Sequence, residues 1–373
     1  MLLFLLCKYK ETQIIPLIDL YLLRNILKKI KKIIFANINT DLKKLTAVSA
    51  LLISTVFLAQ EGTNVYAFLN TPVSARQAAL GGDAVSIRDY DVSFVAANPG
   101  LMNLEQDKMI SLNYASYLAD SKYGTISYVK DLQEGHLISL SAKYMDYGRM
   151  PRTDESGVID GEFGAMDASV GVGYAYQFEE NWTVGGSANF VSSKIDNYTS
   201  MAVVGNAGIT YHNNKTNETL ALVFRNFGYQ FKTYNGMREN VAFRVDLGYT
   251  KILDEFPLAF TITAHDLQKL NISQDYNNNG QEINWTRKFA DHLSLGAELF
   301  PQQAFNIRFG YNVKRGNELA VLDQRSFAGL SAGFGIKISS FRFDYSHVRY
   351  HNSSNVNMFG LTLDLIEVGG NRR

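Results

Sequence analysis

The sequence is nearly devoid of cysteine, and short of proline and tryptophan, with one, six and two residues among 373. The one cysteine, Cys7, lies in a leader-like stretch described below. A chain without it has no disulfide framework, no thiol nucleophile and no cysteine-ligated zinc. There is no uninterrupted run of 18 apolar residues, which argues against an ordinary transmembrane helix. The six histidines show no H-E-x-x-H or H-x-x-E-H spacing. No G-x-S-x-G elbow and no glycine-rich phosphate loop sits between a strand and a helix. "SYVK", Ser127 to Lys130, fits S-x-x-K. On a strand, however, Ser127 and Lys130 point to opposite faces, so the match carries no chemistry. These absences argue against an enzyme, and no cofactor is expected.

The first 60 residues hold nine Lys/Arg against three acids. They end in "KKLTAVSALLISTVFLAQ", in which Lys43-Lys44 precede an apolar core from Leu45 to Leu58 and a small-residue exit at Ala59-Gln60. That is the layout of a cleaved signal peptide carrying an N-terminal extension, residues 1–60. The competing reading is a membrane anchor, for which the core is short. No Met stands between Met1 and Met102, so a later start would need another codon. Removing nine of 36 basic and three of 36 acidic residues leaves a net charge near −6, which argues against nucleic acid as a partner.

What is abundant is aromatic residues, 21 Tyr and 23 Phe, and 29 Gly. From Lys108 onward, windows of about ten residues alternate apolar and polar and break at Asn, Gly, Asp or Ser. "AFNIRFGYNV" sets Phe305, Ile307, Phe309, Tyr311 and Val313 against Asn306, Arg308, Gly310 and Asn312. Period two is the strand signature. Fourteen such windows are expected: 108–118, 122–131, 135–147, 166–178, 181–193, 199–212, 217–228, 241–251, 257–266, 290–300, 303–313, 326–338, 341–350 and 355–366. An even number of tilted strands of this length predicts an all-β, antiparallel transmembrane barrel over 108–366, with 367–373 as a tail. Long connections, at 147–165 and 266–289 among others, all fall on one side, as outer loops do. A soluble sandwich is the rival, but its outer face would carry more Lys and Glu.

Eight strands are about the limit for a barrel filled by its own side chains, so fourteen call for a plug. Residues 61–107 are expected to supply it. "SARQAALGGDAVS" predicts a helix from Ser74 to Leu80, ended by Gly81-Gly82, and Asn98-Pro99-Gly100 predicts a turn. Arg76, Arg88, Asp89 and Asp91 are expected to bond to a polar lumen wall. The alternative is a periplasmic tail. "DYNNNGQEINWT" is a weak calcium-loop candidate through Asp275, Asn277 and Asn279, with Thr286 where a bidentate Glu belongs.

The stretches "FLNTPVSARQAALGGDAVSIRDYDVSFVAANPGLM", 68–102, and "SLNYASYLADSKYGTISYV", 111–129, resemble the FadL-like outer-membrane barrels, and among them the PorV/PorQ branch of the type IX secretion system. The resemblance rests on Arg76, Gly81, Gly82, Asp89, Asp91, Asn98 and Pro99 and their neighbours. It implies outer-membrane lipid around the barrel and a surface-exposed, PorZ-like partner protein docked on loops 147–165 and 266–289, helping attach cargo to lipopolysaccharide. The alternative it carries is transport of long-chain fatty acids or other hydrophobic compounds, for which a greasy lumen pocket would be the mark. On sequence alone the anchor is favoured.

Overall fold

A computed structural model describes residues 64–154, 156–274, 276, 281–319, 327–351 and 354–368. The leader 1–60 and the calcium candidate Asp275, Asn277, Asn279 lie outside the described residues.

Fourteen antiparallel strands close into one barrel, each paired with its neighbours in sequence. They are β1 (Met109–Ser116), β2 (Lys122–Asp131), β3 (His136–Thr153), β4 (Ile159–Glu179), β5 (Trp182–Ile195), β6 (Tyr198–Asn213) and β7 (Glu218–Lys232). Then come β8 (Arg244–Ile252), β9 (Leu258–Ala264), β10 (Leu293–Leu299), β11 (Phe305–Asn312), β12 (Leu330–Ile338), β13 (Phe341–His351) and β14 (Ser354–Asp364). Closure is the β1–β14 ladder, from Met109↔Asp364 to Ser116↔Asn357. No strand edge is left along this seam, which removes the usual liability of an open sheet.

The alternation sorts two environments. Leu112, Val172, Phe190, Phe309 and Phe343 point outward and are exposed. Ser111, Thr125, Ser139, Thr250, Asn306 and Arg308 point inward and are buried. Apolar outside and polar inside inverts a soluble protein and matches a wall solvated by hydrocarbon. The aromatics Phe334, Tyr345 and Phe359 pack side by side on that outer face.

The links at one end, the turn end, are short: 132–135, 180–181, 214–217, 253–257, 300–304 and 339–340. The other, loop end holds the longer links 233–243, 265–292 and 313–329. Two short helices lie in the latter pair, α2 (Trp285–Ala290) and α3 (Val313–Glu318). The stretch 147–165 is not the loop expected from sequence. β3 and β4 run on as a two-stranded ribbon, paired from Arg149↔Gly164 to Thr153↔Ile159 after a bulge at Tyr147-Gly148. Only 154–158 turns. The ribbon outruns its neighbours, since β2 stops at Lys122↔Asp146 and β5 at Ala165↔Ile195. Both its faces meet water, so nothing enforces the apolar alternation by which a strand is recognised. At the other extreme, the last strand ends at Asp364 and gives way to one helical turn, Leu365–Val368.

The asymmetry of the two faces gives a measurable expectation. Val172→Arg, in the outward row of β4, should cost about 2–4 kcal/mol in the urea-induced unfolding of the barrel from lipid vesicles. Val172→Leu should be close to neutral. Equal tolerance of Arg and Leu would mean that this face does not contact hydrocarbon.

Candidate functional site

The segment 64–107 lies inside the ring of strands. It bonds directly to β1, β2, β3, β6, β7, β8, β10, β11 and β12. Ala75 N donates to Asn113 Oδ1 (3.2 Å), Thr125 Oγ1 to the Val73 carbonyl (2.7 Å), and Lys143 Nζ to the Thr71 carbonyl (2.6 Å). Ser331 Oγ donates to the Ala79 carbonyl (2.9 Å), and Tyr66 OH pairs with Ser200 Oγ. Every residue from Pro72 to Ile87 is buried.

Local sequence explains its shape. Helix α1 (Ala75–Ala79) starts at Ser74, whose side chain accepts from Gln77 N, and all its residues are buried. It ends as the two glycines dictate. Gly81 and Gly82 take φ of +93° and +94°, a region where a side chain is strained. Gly82 N donates to the Gln77 carbonyl (2.9 Å), the six-to-one bond of a Schellman end. A Cβ on Gly81 would also collide with the Ser294 side chain of β10. Further on, Asn98 caps the turn Pro99–Leu101, accepting from Gly100 N (2.8 Å) and donating to the Val85 carbonyl (2.9 Å). This turn presses on β5 and β6 at Gly185 and Gly208, where a Cβ would overlap Pro99 or Asn98. Gly185 and Gly208 therefore mark where the segment touches the wall.

Two charge clusters fasten it. The first joins Arg76 of α1 to Glu298 of β10 (2.7 Å) and to Asp89 (2.7 Å). Glu298 also binds Arg308 of β11 (2.8 Å), which in turn binds Asp344 of β13 (2.6 Å). Arg76 and Arg342 both lie over the Tyr90 ring, at 5.1 and 4.5 Å from its centre. Arg308 is fully buried, so its charge must be matched on the spot. The second cluster joins Asp83 to Arg244 of β8 (2.9 Å), which also meets Asp246 (3.2 Å). Around it stand Arg225 of β7, 3.3 Å from Asp246, the pair His265–Asp266 (2.8 Å), and Asn312, donating to Asp83 (2.8 Å).

Of the four charged residues expected to grip the wall, Arg76 does so directly. Asp89 instead binds Arg76 and the Asp91 amide, and Asp91 caps Ser93 N (3.0 Å). Arg88 makes no ion pair among the described residues; it lines a cavity of about 30 Å³ between the segment and the wall, with Leu80, Ile87 and Phe260. Sequence reasoning missed the wall partners Glu298, Arg308, Asp344, Arg244, Asp246 and Arg225, although each sits on the inward, polar register of its strand. A charge on that register was the available signal.

Burial, reinforced by Asp344 and Asp89 against the pull of Arg76, pushes the Asp91 carboxyl up to about 6. For His265, burial opposes charging, but the Asp83 carboxylate and the Asp266 hydrogen bond outweigh it and raise its protonation range. Burial would raise Asp266, yet the His265 bond and Arg244 hold it below the usual carboxylate range.

No family model matches the sequence, and neither does any curated protein. Solved structures do match. The Ralstonia pickettii toluene transporter TbuX superposes with a TM-score of 0.51 at 11% identity, covering 80% of this chain and 99% of that one. The monoaromatic hydrocarbon channel CymD gives 0.51 at 14%, covering 79% and 97%. The likeness is one of fold: this chain has the closed fourteen-strand architecture of that class of channel.

Arg76→Met should leave Glu298 and Asp89 without their shared cation, a loss of about 3–5 kcal/mol at the first cluster. It should appear as faster hydrogen exchange over 74–91 and as larger single-channel conductance. The double variant Arg76→Met/Glu298→Gln should recover part of both. Unchanged exchange and conductance would show that the cluster holds nothing.

The second cluster has a signed pH dependence. A raised His265 contributes below the ordinary histidine range and is lost as pH climbs through its raised value. The lowered carboxylate Asp266 contributes above the ordinary carboxylate range and is lost as pH falls. Protection of the Asp83 region should therefore peak between about pH 4 and 6.5 and decline above it. His265→Gln should remove the alkaline decline; a decline that survives it assigns the effect elsewhere.

Proposed function

We propose that this chain is a FadL-like outer-membrane barrel that passes hydrophobic compounds, with residues 64–107 as its plug. One observation carries the reading. The wall comes apart at a kink in β7. Asn226 adopts φ +58°, and Arg225 and Asn226 together face the single residue Asn206 of β6. The β7–β8 ladder ends there, at Arg225↔Arg244. From Phe227 to Lys232, β7 pairs with β6 alone. The notch beyond is closed by side chains, with Asn226 Nδ2 donating to the Ala242 carbonyl (3.2 Å) and Gln230 Oε1 accepting from Glu239 N (2.8 Å). Val65, near the start of the plug, bonds to the same flank through Asn240 (2.9 Å). A plug held by ion pairs beside a wall closed by side chains is a path that opens sideways without breaking a ladder. The toluene transporter and the hydrocarbon channel of the same fold support this reading over the anchor.

The greasy pocket that would mark transport is only half met. The cavity beside Ile87 and Phe260 also carries Arg76, Asp89 and Glu298, so hydrophobic passage requires the plug to move.

A second reading stays in view because of the β3–β4 ribbon. Its outer edges, 149–153 and 159–164, pair with no neighbouring strand, which is the geometry that accepts a partner's strand. This is where a PorZ-like surface protein of the type IX attachment complex would dock.

Expression in a host stripped of its own FadL-type barrels should raise uptake of labelled toluene or oleate several-fold, and Asn226→Ala should alter the rate. A host that stays at background for every hydrophobic probe, together with stoichiometric recovery of one surface protein that is lost when 149–163 is cut, would overturn transport in favour of the anchor.

A further inference from the structure

A separate cavity of about 40 Å³ lies between the plug and strands β2 to β7, lined by Lys143, Arg225, Ser141 and Ser169 among others. Its lining includes two cations and no carboxylate. Arg225 shares its charge with Asp246. Lys143 has no such partner: among the described residues it forms no ion pair. It is 9% exposed. One of its three N–H bonds reaches the Thr71 carbonyl (2.6 Å), and its nitrogen lies 5.7 Å from the centre of the Tyr123 ring. The hydroxyls of Ser141 and Ser169, on the same cavity, donate to no described residue.

A buried ammonium without a counter-charge is costly, since one carbonyl and one ring replace only part of its hydration. The cavity supplies what would offset that cost. It offers two spare ammonium donors, two hydroxyls and the edge of a second cation. We propose that it is a binding site for a small inorganic anion, a halide held by Lys143 with Ser141 and Ser169. Size decides against a carboxylated amphiphile. A water needs roughly 10–15 Å³ by this measure, so the cavity takes an ion and one or two waters but no hydrocarbon tail. Position suggests the consequence. Lys143 holds Thr71, and Arg225 reaches the Leu69 carbonyl (3.5 Å). The ion would offset the Lys143 charge beside the two side chains that pin 69–71 to the wall, tightening the plug whatever the barrel carries.

Crystals of the intact barrel soaked in bromide, measured at the bromine absorption edge, test this directly. The expected result is an anomalous peak in this cavity within bonding reach of Lys143 Nζ, absent in Lys143→Met. In detergent solution, replacing gluconate by chloride at constant ionic strength should raise the thermal midpoint by about 2–4 °C for the unaltered chain and not for Lys143→Met. An empty cavity in the unaltered crystal at saturating bromide overturns the site. So does a chloride response that survives Lys143→Met. If Lys143→Met does not fold, the bromide measurement on the unaltered protein decides alone.

Discussion

A closed ring of fourteen strands encloses more space than its inward side chains can fill, and the rest of the molecule answers to that constraint. The wall presents Ser, Thr, Asn and paired charges to its interior. Whatever fills the space must therefore match hydrogen bonds and charges, not oil. An apolar helix would leave Glu298 without Arg76 and Arg244 without Asp83, each at the cost of a desolvated polar group. The segment that occupies the lumen is accordingly short of regular structure and rich in caps. Ser74, Asp91, Asn98 and Asn103 each satisfy a backbone amide in place of a ladder. Arg76 then ties the segment to the wall at the point where three strands have already gathered charge.

How much of this was readable beforehand follows from which forces write themselves into local sequence. The barrel did, because one face of every strand meets hydrocarbon and the other meets the plug, so period two is enforced along most of the wall. "AFNIRFGYNV" is such a case: Phe309 faces out, Arg308 in. Helix α1 and its glycine end were legible for the same local reason. The wall partner of Arg76 was not, because Glu298 is more than 200 residues away and only ring closure brings the two together. The ribbon at 149–164 was missed because, in water on both faces, it obeys no apolar alternation. Pro151 pairs with Glu162 of β4 and has no partner strand on its other side, the edge position at which proline is tolerated.

The strand glycines illustrate how one signal admits two readings. Gly185 and Gly208 stand where the Asn98-Pro99 turn leans on the wall, so they serve close approach. The bend that matters is made elsewhere, by Asn226, a residue that tolerates the left-handed region better than most. Its side chain, bonded to Asn70 of the plug (2.8 Å) and to the flank of β8, connects the kink in the wall to the segment inside.

That connection bears on why the interior is polar at all. Buried ion pairs contribute little net stability compared with well-packed apolar groups of the same volume, but in some proteins they set the register. For a permanent stopper, an apolar core would serve better. For a stopper that must leave its seat, ion pairs are the better choice, because water entering the lumen resolvates Arg76, Glu298 and Asp83 as they separate, whereas an apolar plug would expose its whole face at once. Under the proposed transport reading, the polar clusters, the side-chain closure beside β7 and the bond from Asn226 to Asn70 of the plug meet one requirement: a lumen that is filled in register at rest and can be emptied at moderate cost.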